Sequence, residues 1–124
     1  MNFLVVFIGG GLGALIRYCL SLVMPKLTYI PESTLAANFF GCLIATFVFT
    51  YLLYKSNLDS SYKLFLITGF CGGLSTLSAL SLELLEFIQS GEYIRALIYT
   101  ITTFFVCIVS VILGLFLVKH SVKL

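Results

Sequence analysis

The stretch Gly69-Phe70-Cys71-Gly72-Gly73-Leu74-Ser75-Thr76-Leu77-Ser78 places three glycines and three hydroxyl side chains in the middle of a membrane-length apolar segment. A helix that breaks inside a bilayer exposes backbone amides and carbonyls where no water can satisfy them. Such a break is tolerated only where the freed groups face protein, an ion or a wet cavity. The stretch therefore predicts a broken spanning helix that handles an ion.

The composition surrounding this stretch excludes a soluble globular domain. The chain has 124 residues, of which 60% are hydrophobic and only 10% are charged. Four apolar stretches, at about 2–24, 34–54, 62–88 and 93–118, each reach the ~20 residues that a helix needs to cross the hydrocarbon core. The first stretch has no basic n-region and no small-residue cleavage site, so we interpret it as a retained helix. The sequence predicts an all-α, multi-pass membrane protein with one domain, residues 1–124, surrounded by lipid.

The charge distribution bears on orientation. A net charge of +2 over short loops is too small to indicate nucleic-acid binding. Basic residues are nearly balanced between the two sides of the predicted helices, whereas the positive-inside rule depends on an imbalance. This balance predicts insertion in both orientations, and two opposed copies would then form an antiparallel dimer with inverted symmetry. The residues counted are Lys55, Lys63, Lys119 and Lys123 with the amino terminus on one side, and Lys26, Arg95 and Arg17 on the other.

The first span combines a small-residue face with a deep arginine. In Gly9-Gly10-Gly11-Leu12-Gly13-Ala14, small residues recur four apart, which favours close helix packing. Arg17 follows, about seven residues before Met24. Three roles are compatible with this depth: capping carbonyls at the broken helix, raising the positive potential of an anion vestibule, or anchoring at the interface.

The second span has a comparable arrangement. Ala37, Gly41 and Ala45 form a small-residue stripe, and Asn38 lies beside it. A membrane asparagine can join helices through hydrogen bonds, or its amide can supply two donors that replace water around an anion. Both interpretations of Asn38 stay open at this point.

Carbonyls at the break in the third span could coordinate a small cation, pair with a neighbouring helix or simply belong to a glycine kink. Downstream, Ser78 and Ser81 share a helix face, although hydroxyls often bond their own helix carbonyls instead. Glu83 is the deeper of two acids, and Glu86 is expected near the interface. In the fourth span, Tyr99, Thr103 and Cys107 are spaced four apart and form a one-sided polar track, a pattern that chance could also produce.

No constellation of side chains predicts an enzyme. The single histidine, His120, lies in the basic tail, and no nucleophile has a base at suitable spacing. The four cysteines lie inside the spans without metal-ligand spacing, which favours a role as small apolar residues: Cys19, Cys42, Cys71 and Cys107.

Taken together, these motifs resemble the Fluc or CrcB-type family of small bacterial fluoride channels. The resemblance covers all four spans. Its motifs are Gly9–Ala14 with Arg17-Tyr18, Thr34-Leu35-Ala36-Ala37-Asn38 with Gly41, Thr68–Thr76, and Ser81-x-Glu83. It implies passive fluoride efflux across the bacterial plasma membrane by an antiparallel dual-topology dimer with two pores and a central structural sodium ion (Na+).

The resemblance also implies roles for individual residues. Gly72 and Ser75 would offer backbone carbonyls to the sodium ion. Asn38 would be the pore-lining amide donor and Arg17 the basic residue near the vestibule. The remaining polar residues would lie along the fluoride pathway: Ser78, Ser81, Glu83, Tyr99 and Thr103.

One departure from the family pattern concerns two aromatic residues. The family usually has Phe-Ser-Thr-Phe where this chain reads Leu77-Ser78-Ala79-Leu80. The positive edge of an aromatic ring can face an anion, whereas leucine at Leu77 or Leu80 cannot do so. The chain could therefore conduct as a homodimer, or it could be a subunit that needs a phenylalanine-bearing paralogue in a heterodimer.

A small four-helix, proton-coupled multidrug exporter is a third hypothesis. Such exporters need a carboxylate in the first span and an aromatic cage. This chain has Arg17 in that span and no tryptophan, which favours the channel hypotheses.

Overall fold

A computed structural model describes residues 2–24, 29–54 and 60–121, and in this part of the chain all regular structure is helical. The first helix is Asn2–Val23, the second helix is Glu32–Tyr54, the third span is Ser60–Gln89 and the fourth helix is Tyr93–Ser121. Each of the four is long and apolar enough to cross a membrane, which confirms the predicted all-α, multi-pass architecture. Three of the lysines used in the orientation argument, Lys26, Lys55 and Lys123, lie outside the described residues.

The third span is interrupted near its midpoint, as predicted, but the glycines are not the interruption. It begins as Ser60–Lys63, continues through a wide π-helical segment, Leu64–Cys71, and returns to α-helix at Gly72–Leu74. Ser75 and Thr76 are then extended, with ψ of 150° and 121°. The second half of the span, Leu77–Gln89, resumes after them. Gly69, Gly72 and Gly73 all precede the break and lie within helical backbone.

The glycines serve close packing of the first helix on the first half of the third span. An ideal Cβ placed on Gly9 would lie 2.5 Å from the Phe65 carbonyl oxygen, and one on Gly69 would lie 2.9 Å from the Val6 carbonyl oxygen. Gly73 faces the Gly10 backbone so closely that a Cβ there would meet Gly10 atoms at 3.0 Å. Backbone therefore packs on backbone, which is the use expected of small-residue faces in membrane helices.

The second and fourth helices form the other half of the bundle. Gly114 of the fourth helix packs against Thr46, whose Cβ lies 2.9 Å from the position of an added Cβ. A turn containing Gly91, with φ of +76°, connects the third span to the fourth helix and uses a conformation that suits glycine. Close to this turn, a buried cluster joins Leu80 and Phe87 of the third span to Ala96 and Tyr99 of the fourth helix.

Candidate functional site

Asn38 bridges the second helix to the break in the third span. Its Oδ1 accepts a hydrogen bond from the Thr76 backbone N–H at 2.7 Å, and its Nδ2 donates to the Thr76 carbonyl at 3.3 Å. The side-chain amide thus bonds both backbone groups of one extended residue. Asn38 is 6% exposed, so these bonds form in a setting where unpaired backbone groups are costly. In this contact Asn38 joins two helices through hydrogen bonds, which is the first of the two roles considered for it from the sequence.

At the break, two backbone N–H groups donate to side chains and not to the carbonyls that they would bond in a continuous α-helix. The Gly72 carbonyl would pair with the Thr76 N–H in a continuous α-helix, but that N–H donates to Asn38. The Ser75 carbonyl would pair with the Ala79 N–H, which donates instead to Thr76 Oγ1 at 3.1 Å. Thr76 is therefore the N-cap of the second half of the span. Two carbonyls at the break, those of Gly72 and Ser75, have thus lost their ordinary α-helical donors.

A groove of ≈ 230 Å³, here called the Asn38 groove, lies beside the break. Its wall is mainly apolar and includes Asn38 and Thr103, and none of the described residues that line it is acidic. Its wall consists of Asn38, Ser75, Thr76, Leu77, Leu80, Thr103, Phe104 and Cys107.

The two leucines at the aromatic positions of the family pattern occupy different environments. Leu77 is 72% exposed, whereas Leu80 is 4% exposed and packs in the cluster with Phe87, Ala96 and Tyr99. Both contribute to the wall of the Asn38 groove. An aromatic residue could therefore replace Leu77 without repacking the interior of the chain, whereas replacing Leu80 would require such repacking.

A second cavity of ≈ 390 Å³, here called the Arg17 vestibule, lies between the first helix, the start of the second helix and the second half of the third span. Arg17 and Glu83 both line it, together with Thr34 and Ser33. Arg17 Nε donates to the Gly73 carbonyl at 3.2 Å. Arg17 therefore caps a carbonyl next to the break, one of the three roles considered for it, and it also lines this cavity.

Glu83 joins three elements of the bundle. Its Oε1 accepts from the Thr34 hydroxyl at 2.8 Å and its Oε2 accepts from the Tyr99 hydroxyl at 2.6 Å. Tyr99 is fully buried, and its carbonyl accepts from the Thr103 hydroxyl at 2.9 Å. The tyrosine thus links the Arg17 vestibule, through Glu83, to Thr103 in the Asn38 groove.

The two predicted serines stay near the surface. Ser81 is exposed and its hydroxyl donates to the Leu77 carbonyl at 2.9 Å, the back-bonding alternative considered for such groups. Ser78 is exposed and its hydroxyl pairs with Thr76 Oγ1 at 3.2 Å. The walls of the Asn38 groove and the Arg17 vestibule include neither serine.

The model of one protein family, described as "CrcB-like protein, Camphor Resistance (CrcB)", matches residues 4–115 of the chain. This match spans all four helices and the break. The chain belongs to the CrcB family.

Curated relatives agree with this membership over most of their length. A protein of Pyrococcus abyssi named "Fluoride-specific ion channel FluC" is 38% identical over 94% of this chain and 95% of its own. The protein of the same name from Sulfurihydrogenibium sp. is 34% identical over 95% of this chain and 97% of its own. "Fluoride-specific ion channel FluC 2" of Nitrobacter hamburgensis is 34% identical over 97% and 98%.

Two residues of this CrcB-family site were quoted in the sequence motifs without a role in the site. Thr34 bonds Glu83, and Thr76 supplies the N-cap and both backbone partners of Asn38. A signal for Thr34 was available, because Thr34, Asn38 and Gly41 share one helix face and all three are buried. Thr76 had no comparable signal, since the position of the break within the glycine-rich stretch decides its role.

Proposed function

We propose that this chain forms a fluoride-selective channel that lets fluoride leave the cytoplasm passively across the bacterial plasma membrane, and that it is not an enzyme. The names of its CrcB-family relatives support fluoride as the ion. The observation that carries the proposal is the Asn38 groove, where an amide, a hydroxyl and the start of a half-helix meet beside a membrane break.

The chemistry of the groove favours an anion. The helix Leu77–Gln89 begins at the groove, and the positive end of its dipole favours negative charge there. The Asn38 amide is neutral and has a second N–H besides the one it donates to Thr76. The Thr103 hydroxyl could donate to an anion by turning from the Tyr99 carbonyl. The described residues of the groove wall include no acid that would repel an anion. Fluoride is small and strongly hydrated, so closely spaced donors replace its water better than they replace the water of chloride.

A polar route continues from the groove. Thr103, Tyr99 and Glu83 connect it by hydrogen bonds to the Arg17 vestibule. The cation of Arg17 raises the local concentration of anions at this mouth. Ser78 and Ser81 are exposed on the second half of the third span, where they would contribute only if a second chain covered them.

An antiparallel dimer supplies that cover. In a single chain Leu77, which lines the groove, is 72% exposed. A pathway for a charged ion needs walls that exclude lipid. The near-balance of basic residues across the membrane is compatible with two opposed copies.

The test is efflux of fluoride from liposomes reconstituted with the purified protein alone, with chloride-loaded and protein-free liposomes as controls. We expect fast efflux of fluoride and none of chloride. Efflux of both ions at similar rates would contradict selectivity. Absence of fluoride efflux from liposomes containing folded, monodisperse protein would contradict a self-sufficient channel. If co-reconstitution with a phenylalanine-bearing paralogue then produced efflux, the heterodimer would be established instead.

We also propose that Gly72 and Ser75 hold a structural sodium ion between the two copies. Both carbonyls have lost their ordinary helical amide, and Gly72 is exposed on the surface of the single chain. Carbonyls at broken membrane helices are suitable ligands for Na+, which prefers oxygen. The bound cation would reduce the cost of anions near the middle of the membrane.

Sodium should therefore stabilise the purified protein. We expect thermal unfolding in detergent to shift upward in NaCl relative to choline chloride, because an ion that binds only the folded state stabilises it by about 2.7 kcal/mol at 100 times its Kd. Thr76→Ala should reduce the shift, since the Ala79 N–H is then free to bond the Ser75 carbonyl. Thr76→Ser keeps the hydroxyl and should preserve it. Equal melting in both salts would contradict the sodium site.

A further inference from the structure

Arg95 makes a compact set of contacts near the turn between the third span and the fourth helix, outside both the Asn38 groove and the Arg17 vestibule. Its guanidinium carbon lies 4.4 Å from the centre of the Phe87 ring and 4.8 Å from that of Tyr29. Its Nη1 donates to Glu92 Oε2 at 2.6 Å, and its Nε donates to the Tyr29 carbonyl. One cation thus contacts two rings, one carboxylate and one carbonyl.

The Phe87 ring lies between Arg95 and the buried Tyr99 and contacts both. Phe87 is buried and meets Tyr99 edge to face, with ring centres 5.9 Å apart and planes at 79°. Tyr99 in turn donates its hydroxyl to Glu83. Glu83 and Phe87 are four residues apart on one helix, and Arg95 and Tyr99 are four apart on the next. The four side chains therefore form a ladder between two helix faces.

The ladder ends at the Arg17 vestibule, where Glu83 is half-buried in the wall. Tyr99 has a single hydroxyl and a rigid ring, so the direction in which its O–H points depends on how the ring is held. Three buried neighbours hold it: Phe87, through the edge-to-face contact, and Leu80 and Ala96, which pack in the same cluster. A displaced Phe87 would leave room for the Tyr99 ring to turn away from Glu83.

We propose that Arg95 is a positioning residue: by holding Phe87, it keeps the Tyr99 hydroxyl on Glu83 at the wall of the vestibule. Its functional consequence rests on the proposed fluoride pathway, because a misplaced Glu83 changes the charge and the hydrogen-bond donors that an anion meets at the mouth. In the described part of the chain, the side chain of Arg95 contacts Tyr29, Phe87 and Glu92, which line neither the Asn38 groove nor the Arg17 vestibule. The planar guanidinium is essential, since it stacks on two rings while it donates sideways to Glu92 and Tyr29.

The competing role for Arg95 is that of a cation anchored at the membrane surface. Any long basic side chain would serve that role. Arg95→Lys distinguishes the positioning role from the anchoring role, because lysine keeps the positive charge and a long side chain but has no planar group to stack on the rings. Phe87→Leu removes the ring while leaving Arg95 in place, and Phe87→Tyr keeps the ring. Tyr93→Leu removes an exposed ring from the same turn and serves as the matched control.

The first readout is the infrared absorption of Glu83, identified as the carboxyl bands lost in Glu83→Gln. Arg95→Lys and Phe87→Leu should shift these bands in the same direction as Tyr99→Phe, whereas Phe87→Tyr and Tyr93→Leu should leave them unchanged. This measurement does not require conduction. Bands unmoved by Arg95→Lys and Phe87→Leu would overturn the positioning role even if the channel conducts fluoride.

The second readout is fluoride efflux in a double-mutant cycle. Arg95→Lys and Phe87→Leu should each slow efflux about fivefold, the factor that one good cation–π contact contributes. In the Tyr99→Phe background neither should slow it further, because the link to Glu83 is already lost. Additive losses would overturn the proposal in favour of independent structural damage. If the wild-type protein releases no fluoride but the Glu83 bands shift in the variants as expected, the channel proposal is contradicted and the positioning of Glu83 still holds.

Discussion

Gly73→Ala is expected to prevent stable folding of the chain. An added Cβ would meet the Gly10 carbonyl carbon and Cα at 3.0 Å each, with the carbonyl oxygen closer still. The obstacle is backbone, so the first helix would have to separate from the third span, at a cost of roughly 3 kcal/mol for overpacking. We expect little monodisperse protein in detergent and a sharply lowered melting temperature for whatever is recovered.

Gly11→Ala is the matched control for this substitution. It lies in the same glycine run, but an added Cβ there meets nothing within 4 Å in the chain. Alanine also has the higher helix propensity. This variant should melt no lower than the wild type. If Gly73→Ala melted at the same temperature as Gly11→Ala, the backbone contact between Gly10 and Gly73 would not exist in the protein.

Asn38→Ala is expected to lower the rate of fluoride efflux at least about a hundredfold. The substitution leaves the Thr76 N–H and carbonyl unpaired beside the break, at about 1–3 kcal/mol for each buried group. It also removes the amide donor from the Asn38 groove. Liposome efflux and thermal unfolding should both be measured, because the two losses affect different readouts.

Asn38→Asp tests the donor function of the amide. Aspartate keeps an acceptor for the Thr76 N–H, but its carboxylate is buried beside the Thr76 carbonyl, so the melting temperature should fall as well. It has no donor for the anion and adds negative charge, so efflux should still be lost. Wild-type efflux from Asn38→Ala would show that Asn38 is needed neither at the break nor in the pathway.

Hydropathy alone predicted the four spans, because a helix that crosses a bilayer needs a long apolar run and little else. The break was also predictable within the stretch from Gly69 to Ser78. Its exact place was not, since glycines can serve either as breaks or as contact surfaces. Here Gly69 and Gly73 pack on the first helix, and the extended residues are Ser75 and Thr76. No sequence signal indicated the π-helical segment Leu64–Cys71.

The site was predictable as a set of residue types and not as a set of partners. Arg17, Asn38 and Glu83 stood out because polar side chains are costly in a membrane. Their partners, Gly73, Thr76 and Tyr99, lie between 16 and 56 residues away along the chain, and only the tertiary packing brings them together. The separation of exposed Leu77 from buried Leu80 likewise depends on how the second half of the third span is rotated.

The bond pair between Asn38 and Thr76 has a consequence for biogenesis. A broken helix released into lipid with a bare amide and carbonyl would be prone to leave the membrane or to misassemble. Here the second helix, synthesised before the third span, already carries the group that satisfies both. Each newly made chain can therefore pair both backbone groups of Thr76 before it meets a second copy, which leaves only the Gly72 and Ser75 carbonyls for the later step of association in the bilayer.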